Sequence, residues 1–341
     1  MSIKNRYEFM YFVECINGNP NGDPDMGNSP RMDPQDMHGL ISDVAVKRRI
    51  RNYVQVAYGD RAGFNIVVQN ATNINKFIAK ANEECGNEAK QGSRERVNAA
   101  RKWMCDNYYD VRTFGAVLST GANAGQVRGP VQLTFLRSVD PILPLDISIT
   151  RMSVADKPKD VITFEQYEKW ELEQPEDKLR TMGRKQLIPY GLYEGRGFIS
   201  ANLAEMNDTA KGTGFDENDL SILWESILNM YEHDRSASKG QMSTMQPLII
   251  FRHIGTDTDS VQRERQAKLG CAPAHKLFDL IKIKRKDSVE YSRSYQDYLI
   301  KVNISQLPKG VEIGFATLEG GNLQISWGKL PDDLKDYVVL L

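Results

Sequence analysis

Between residues 6 and 16 the chain reads RYEFMYFVECI. Tyr7, Phe9, Tyr11 and Val13 recur at period two, as one face of a strand does. Met10 and Phe12 take the other face, so the pattern predicts a strand buried on both sides. A polar stretch follows, NGNPNGDPDMGNSPR from Asn17 to Arg31, too rich in Asn, Gly and Pro for regular structure. Over residues 38–58 the apolar positions shift to a helical period: Val46, Ile50, Tyr53 and Ala57 fall four, three and four apart. Strand, polar loop and helix in this order read as half of a βαβ unit.

Residues 59–110 are polar and helical in parts, with 74–85 and 93–106 as the candidate helices. Strands are predicted over 111–119, 126–137 and 147–152, with the glycine turn TGANAG in between. The pattern changes over 154–186, which is charged, contains Pro158 and Pro175, and reads as an insertion projecting from the core. Strand character returns in QLIPYGLYEGRGFISANLA, with EGRG at 194–197 as a turn. An amphipathic helix with an acidic start is predicted over 216–232, and further strands over 246–254 and 282–286. The whole reads as one elaborated α/β domain interrupted by insertions at 59–110 and 154–186.

Composition excludes more than it proposes. The 341 residues are 40% hydrophobic and 26% charged, ordinary for a globular chain. Lys plus Arg number 44 against 45 Asp plus Glu, so there is no global basic excess, although one groove can still be basic. Cys15, Cys85, Cys105 and Cys271 lie far apart without a CxxC pair, and read as free thiols of a reducing cytoplasm. The N-terminus lacks a signal-peptide pattern and no apolar run is long enough to span a bilayer, so a soluble cytoplasmic protein without membrane contact is expected.

Several chemistries fail on their spacing. Asn17, Asn19, Asn21 and Gly22 mimic the start of a calcium loop, but its twelfth position is Asn28 rather than Glu, and amides replace carboxylates. GxxxxGK[ST] and GxSxG are absent, and Gly195–Gly197 and Gly212–Gly214 lack the third glycine of a dinucleotide loop. His38, His233, His253 and His275 form no metal-binding pair, and the aromatic signature of RNA-recognition sheets is missing. No cofactor, metal or catalytic residue is expected.

Positive charge gathers in three places. Lys47, Arg48, Arg49 and Arg51 follow Asp43 within two turns, with Lys47 and Arg51 on one face. They suit either a solvated face with an Asp43–Lys47 pair or a ladder of cations for successive phosphates. TGANAGQVRGP places Gln126 and Arg128 among recurring glycines, as a hairpin turn or as backbone that approaches an anion closely. HDRSASKGQMS brings Arg235, Ser236, Ser238 and Lys239 together after a helix end, as ordinary capping charge or as sugar–phosphate contacts. Taken together, they fit sequence-independent binding of single-stranded nucleic acid.

The ordered stretches NPNGDPD, GLISDVAVKRRIRNYV, VRTFGAVLS, TMGRK and DRSASKG resemble those of the backbone subunit of type I CRISPR Cascade complexes, most closely subtype I-C. The resemblance runs over nearly the whole chain. It implies a modified RNA-recognition (ferredoxin-like) α+β palm, here 1–58, 111–153 and 187–341, with 59–110 as fingers-like and 154–186 as thumb-like insertions. It also implies CRISPR RNA as ligand, with copies of the chain stacked along it in a helical filament. The bases pair with target DNA, so pairing rather than protein reads the sequence. Other Cascade subunits, a repeat-handle-binding subunit and a large subunit, are implied partners.

The resemblance puts guide-RNA contacts on Ser42, Lys47, Arg48 and Arg51, with Gln126, Arg128, Arg235, Ser238 and Lys239 along the same groove. Asn19, Asn21 and Arg31 would then lie on its rim, and Lys157 and Lys159 would meet nucleic acid if 154–186 is the thumb. Related backbone subunits of type III complexes cleave target RNA with an Asp in the loop after the first strand, and Asp23, Asp25 and Asp33 occupy that region here. The type I pattern covers far more of the chain, so a non-catalytic subunit is expected.

Overall fold

The computed structural model describes residues 1–85, 93–206 and 212–341; residues 86–92 of the expected 59–110 insertion lie outside that description. Its centre is β1 (Tyr7–Gly18). Tyr7, Phe9, Tyr11 and Val13 join one hydrophobic cluster, while Met10 and Phe12 join another on the opposite face. The two-sided burial expected from the alternation is therefore present. Beyond β1 come β2 (His38–Ile41) and α1 (Asp43–Tyr58), then α2 (Asn75–Glu84), α3 (Arg94–Asn107) and α4 (Tyr109–Phe114). A hairpin of β3 (Gly115–Leu118) and β4 (Gly125–Arg128) leads to β5 (Val131–Leu133), β6 (Leu136–Pro141) and β7 (Leu145–Arg151). After α5 (Phe164–Leu172) runs the longest strand, β8 (Thr181–Ile199), and then α6 (Glu217–Asn229), β9 (Gln241–His253) and α7 (Ser260–Leu269). The chain closes with β10 (Ile281–Arg285), β11 (Tyr298–Val302), β12 (Val311–Glu319), β13 (Asn322–Trp327) and β14 (Val338–Leu340).

Among the described residues the main sheet has nine strands in the order β13-β12-β9-β1-β8-β6-β2, with β5 and β7 also paired along β8. Its pairings are antiparallel throughout. The expected half-βαβ opening is thus not what forms, because among the described residues β1 pairs with β8 and β9, both antiparallel to it, and with no parallel strand. One face of the sheet carries α1 and α6, through Val46, Ile50, Leu223, Trp224 and Ile227. The other carries the segment Ala274–Phe278 and a separate three-stranded sheet, β10-β11-β14. Val67, Ile78, Ala100, Met104 and Leu118 form a third cluster that joins α2, α3 and the β3–β4 hairpin.

Three local expectations change. EGRG is no turn: it lies inside β8, where Gly195 faces Tyr11 and Gly197 faces Phe9 across the ladder. A Cβ at Gly195 would stand 2.4 Å from the Tyr11 ring and one at Gly197 2.1 Å from the Phe9 ring, so the glycines are notches for aromatic side chains. Residues 111–119 are not one strand, because α4 occupies their first part. The helix turns Arg112 inward, where it meets Asp219 at 2.7 and 2.8 Å and the Cys105 carbonyl at 2.7 Å. The buried stripe of α1 is Val46, Ile50 and Val54, spaced by four, while Ala57 is exposed. Tyr53 and Tyr58 instead donate their hydroxyls to the Glu225 carboxylate on α6, each at 2.6 Å.

The charged stretch 154–186 sits on an arm. β7 pairs with the first part of β8 from Leu145–Leu187 to Arg151–Thr181, and every β7 residue is exposed. The helix α5 beyond it buries nothing.

Candidate nucleic-acid interface

The opening loop is folded back on itself by a two-residue ladder between Gly22–Asp23 and Ser29–Pro30. Asn19 is almost fully buried and donates through Nδ2 to the Asn28 carbonyl at 2.6 Å. The Asn21 side-chain oxygen accepts the Ser42 backbone N–H at 2.9 Å, and the Ser42 hydroxyl caps α1 by accepting the Ala45 N–H at 3.3 Å. Arg31 pairs with Asp23 at 3.2 Å. In this structure the side chains of Asn19, Asn21 and Ser42 brace the loop against the helix start, which is ordinary capping and turn chemistry. One of the oxygens that a calcium reading needs, Asn21 Oδ1, belongs to these braces.

The basic stretch HDRSASKGQMS comes to the same end of β1. Gly18 and Gly240 allow the approach: a Cβ at Gly18 would stand 1.8 Å from the Lys239 carbonyl, and one at Gly240 2.3 Å from the Asn17 carbonyl. The Asn19 N–H donates to the Ser238 carbonyl at 2.8 Å. Asp234 takes the Arg49 guanidinium and, at 2.9 Å, the Asn52 amide, with Lys239 Nζ at 3.9 Å. Arg235 turns to Glu232 at 2.7 Å, and Arg235 and Ser238 are exposed. Lys185 of β8 donates to the Ala237 carbonyl. A cleft of about 290 Å³ lies where the opening loop, the β7–β8 ladder and the 233–240 loop meet, lined by Gly27, Asn28, Asp146, Arg184, Lys185, Gln186 and Ser238. Arg184 is 78% exposed, 3.5 Å from Asp146. Arg184 and Lys185 were not among the expected contacts. Their signal was the TMGRK stretch, where two cations end a run beside a glycine.

The cations of α1 have company. Lys47 pairs with Asp43 at 2.9 Å, Arg48 donates to the Val68 carbonyl at 3.0 Å, and Arg51 meets Asp110 at 2.9 Å. Asp110 is 1% exposed and also accepts the Val67 and Val68 N–H groups. Lys47 and Arg51 both lie over the Phe114 ring, at 5.7 and 5.3 Å from its centroid. They do share a face, but it rests on α4. Gln126 and Arg128 stand differently. Both are exposed on β4, and Arg128 makes no ion pair among the described residues. They line a second cleft with Arg101, Asn202 and Thr213. Gly115, next to Phe114, pairs with Arg128, so the hairpin meets the α1 face there, at α4.

Comparison with known protein families matches residues 5–303 to CRISPR-associated protein Cas7. The chain belongs to the Cas7 family. A curated CRISPR-associated protein Cas7 of Haloferax volcanii is 31% identical over 124 residues. That match spans 36% of this chain and 35% of the relative, about a third of each. Among solved structures, a chain of a CRISPR RNA-guided surveillance complex in a pre-nicking state is 13% identical, with a TM-score of 0.42 over 77% of this chain and 82% of that one. A chain of a second CRISPR RNA-guided surveillance complex is 13% identical at a TM-score of 0.40, over 77% of this chain and 75% of that one.

The loop aspartates of this Cas7 protein are partly engaged. Asp33 lies 3.2 Å from Arg137 and accepts the Gln35 N–H at 3.0 Å, and these two contacts, the backbone bond first, hold its carboxyl below its usual range. Asp23 faces Arg31, while Asp25 is exposed. Among the described residues no three His, Cys, Asp or Glu side chains gather as a metal site. Lys157 and Lys159 are exposed near the arm. No helix among the described residues is long and apolar enough to cross a membrane. Burial pushes the Cys15 and Cys105 thiols up to about 12, so neither is a ready nucleophile.

Proposed function

We propose that this Cas7 protein is a guide-RNA-binding backbone subunit of a type I Cascade complex, most like subtype I-C. Copies stack along the CRISPR RNA and present its bases to target DNA, alongside a repeat-handle-binding subunit and a large subunit. The observation that carries this is the family match over residues 5–303, which encloses every expected contact from Asn19 to Lys239. The meeting of the opening loop, the α1 start and the 233–240 loop at one end of β1 supports it. The main sheet with α1 and α6 serves as the palm, α2 and α3 with their hairpin as the fingers, and the β7–β8 arm with Lys157 and Lys159 as the thumb. The strand runs past the cleft of Arg184, Lys185 and Ser238, with Arg235 and Arg128 as further phosphate contacts, a backbone mode that needs no base recognition.

The role is non-catalytic: Asp23 and Asp33 face arginines, which favours a shaped rim over a cutting carboxylate. Purified from a cytoplasm that supplies the matching guide, the protein should carry RNA of one length and run larger than a monomer. An RNA-free monomer from that host would overturn the reading. Cleavage of guide-complementary RNA that is lost on Asp→Ala change would overturn its non-catalytic part.

A further inference from the structure

The arm carries a helix whose apolar side chains its own chain leaves uncovered. Phe164 and Leu172 of α5 are 76% and 89% exposed, and Ile162 just before the helix is 85% exposed. Phe164 and Leu172 lie two turns apart, with Glu168 midway and Glu165 and Glu171 flanking them on the same face. These three glutamates make no ion pair among the described residues. A nine-residue helix that buries nothing is marginal in water by itself, so this face points to a partner.

A surface of matching character lies at the other end of the arm. A cleft of about 580 Å³ opens there, and no residue of α5 lines it. Tyr291, Leu143 and Met37 stand in it at 70%, 66% and 39% exposure. Met37 holds a left-handed backbone, with φ 63°, which a side chain of this size rarely adopts. Its N–H donates to the Asp33 carbonyl and its carbonyl accepts the Ile142 N–H, each at 2.9 Å. Tyr190 and Tyr298 stack in the cleft wall, with centroids 6.4 Å apart at 19°. Arg293 is exposed on the rim and makes no ion pair among the described residues. Asp140, the acid of the cleft, is already engaged: it accepts the Tyr298 hydroxyl at 2.8 Å and faces Arg285 at 3.6 Å. Tyrosine, methionine and arginine around an apolar centre are the residue types enriched where proteins meet.

The arm keeps the two surfaces of one chain apart. Its ribbon runs for seven paired residues from Leu145 to Arg151, roughly 20 Å at about 3.4 Å per residue. Leu143 stands just before the near end, and α5 lies beyond the far end. A patch on one part of a molecule that fits a pocket on another part joins copies head to tail. We infer that α5 of one copy docks in this cleft of a second copy, with Phe164 and Leu172 against Leu143 and Tyr291 and the glutamates toward Arg293. The contact goes beyond stacking along a guide, because it joins protein to protein and forms without RNA.

Sedimentation equilibrium of the full chain, expressed without a guide and treated with nuclease, is the test. Wild type should self-associate, its average mass rising over a concentration series to about 100 µM. F164E/L172E removes the helix side of the contact, and L143E/Y291E removes the cleft side. Each alone should associate at least tenfold more weakly, as for loss of an apolar anchor. Each should melt at the wild-type temperature, because all four side chains are exposed. Mixed in equal amounts, the two should form one-to-one dimers and nothing larger, since one intact helix then meets one intact cleft. The milder F164A and Y291A should each weaken association about fivefold or more. A monomeric wild type, wild-type association in all four variants, or a mixture that stays monomeric although both members melt as wild type would overturn the inference. Multi-copy RNA particles from a guide-supplying host would still be expected in that case, which separates this contact from the stacking reading.

Discussion

The cations of α1 and those of the β4 and β8 rims look alike in the sequence and differ in their neighbours. Lys47, Arg48, Arg49 and Arg51 each meet a carboxylate or carbonyl of the same chain, and the side chains of Lys47, Arg49 and Arg51 are no more than 17% exposed. Arg184 is 78% exposed, and Arg128 makes no ion pair among the described residues. The first group joins α1 to α4 and to the 233–240 loop. The second projects charge outward, where it can displace the counterions condensed on a nucleic-acid strand. Charge density along a sequence thus marks a helix with many partners as readily as a ligand site. The partners decide which it is, and they come from residues as distant as Asp110 and Asp234.

The sharpest way to break this contrast starts from its inner extreme. Arg112 and Asp219 are a buried pair, with side chains 10% and 4% exposed, and they join α4 to α6. Arg112→Ala strands a buried carboxylate, and stability should fall by about 3–5 kcal/mol. Urea unfolding checks this, and a loss below 1 kcal/mol would mean that the inner pairs do not hold the helices together. Arg51→Ala is the next step. Asp110 would keep its two backbone N–H donors, so the loss should be smaller, about 1.5–3 kcal/mol. A variant of wild-type stability would return Arg51 to the outward group.

The rim cations should behave in the opposite way. In R128E and R184E, stability should stay within about 0.5 kcal/mol, since neither residue is buried. Retained RNA should fall, with the salt slope about 0.7 flatter per lost contact. If K47E/R48E/R51E loses RNA at unchanged melting temperature while the rim variants keep it, the contrast is reversed and α1 is the principal contact.

How much of this was legible follows from what each signal depends on. The two-sided β1 was readable because alternation reports burial directly, and so was α6, whose Asp216 cap bonds the Asn218 and Asp219 N–H groups. The notch glycines were misread as a turn because Gly195 and Gly197 acquire their meaning only opposite Tyr11 and Phe9, some 180 residues away. Helix α4 was read as a strand because its key residue is Arg112, whose partner Asp219 is 107 positions distant. The site was half legible for the same reason. The clusters of cations were visible, but not which of them were already paired, and Arg184 and Lys185 fell outside because their neighbours Ser238 and Asn28 come from other elements.

The smallest effect probes the lock between α1 and the 233–240 loop. Burial pushes the Asp234 carboxyl up, but the bonds from Arg49 and Asn52 outweigh it and leave the group below its usual range. A carboxyl depressed in the folded state stabilises fully above its unfolded value, near about 4, and that contribution is lost as pH falls through the lower folded value. With Asp234 at 21% exposure, the contribution should be about 1 kcal/mol or less. Wild type should therefore be slightly more stable than D234N at pH 6, and the difference should shrink towards zero as pH falls below about 4. Paired urea titrations of the two proteins at each pH measure it. A difference that stays constant with pH would show that Arg49 gains nothing from the Asp234 charge. Arg49 would then be available to a phosphate, and the inner group would lose the one cation that pairs with the 233–240 loop.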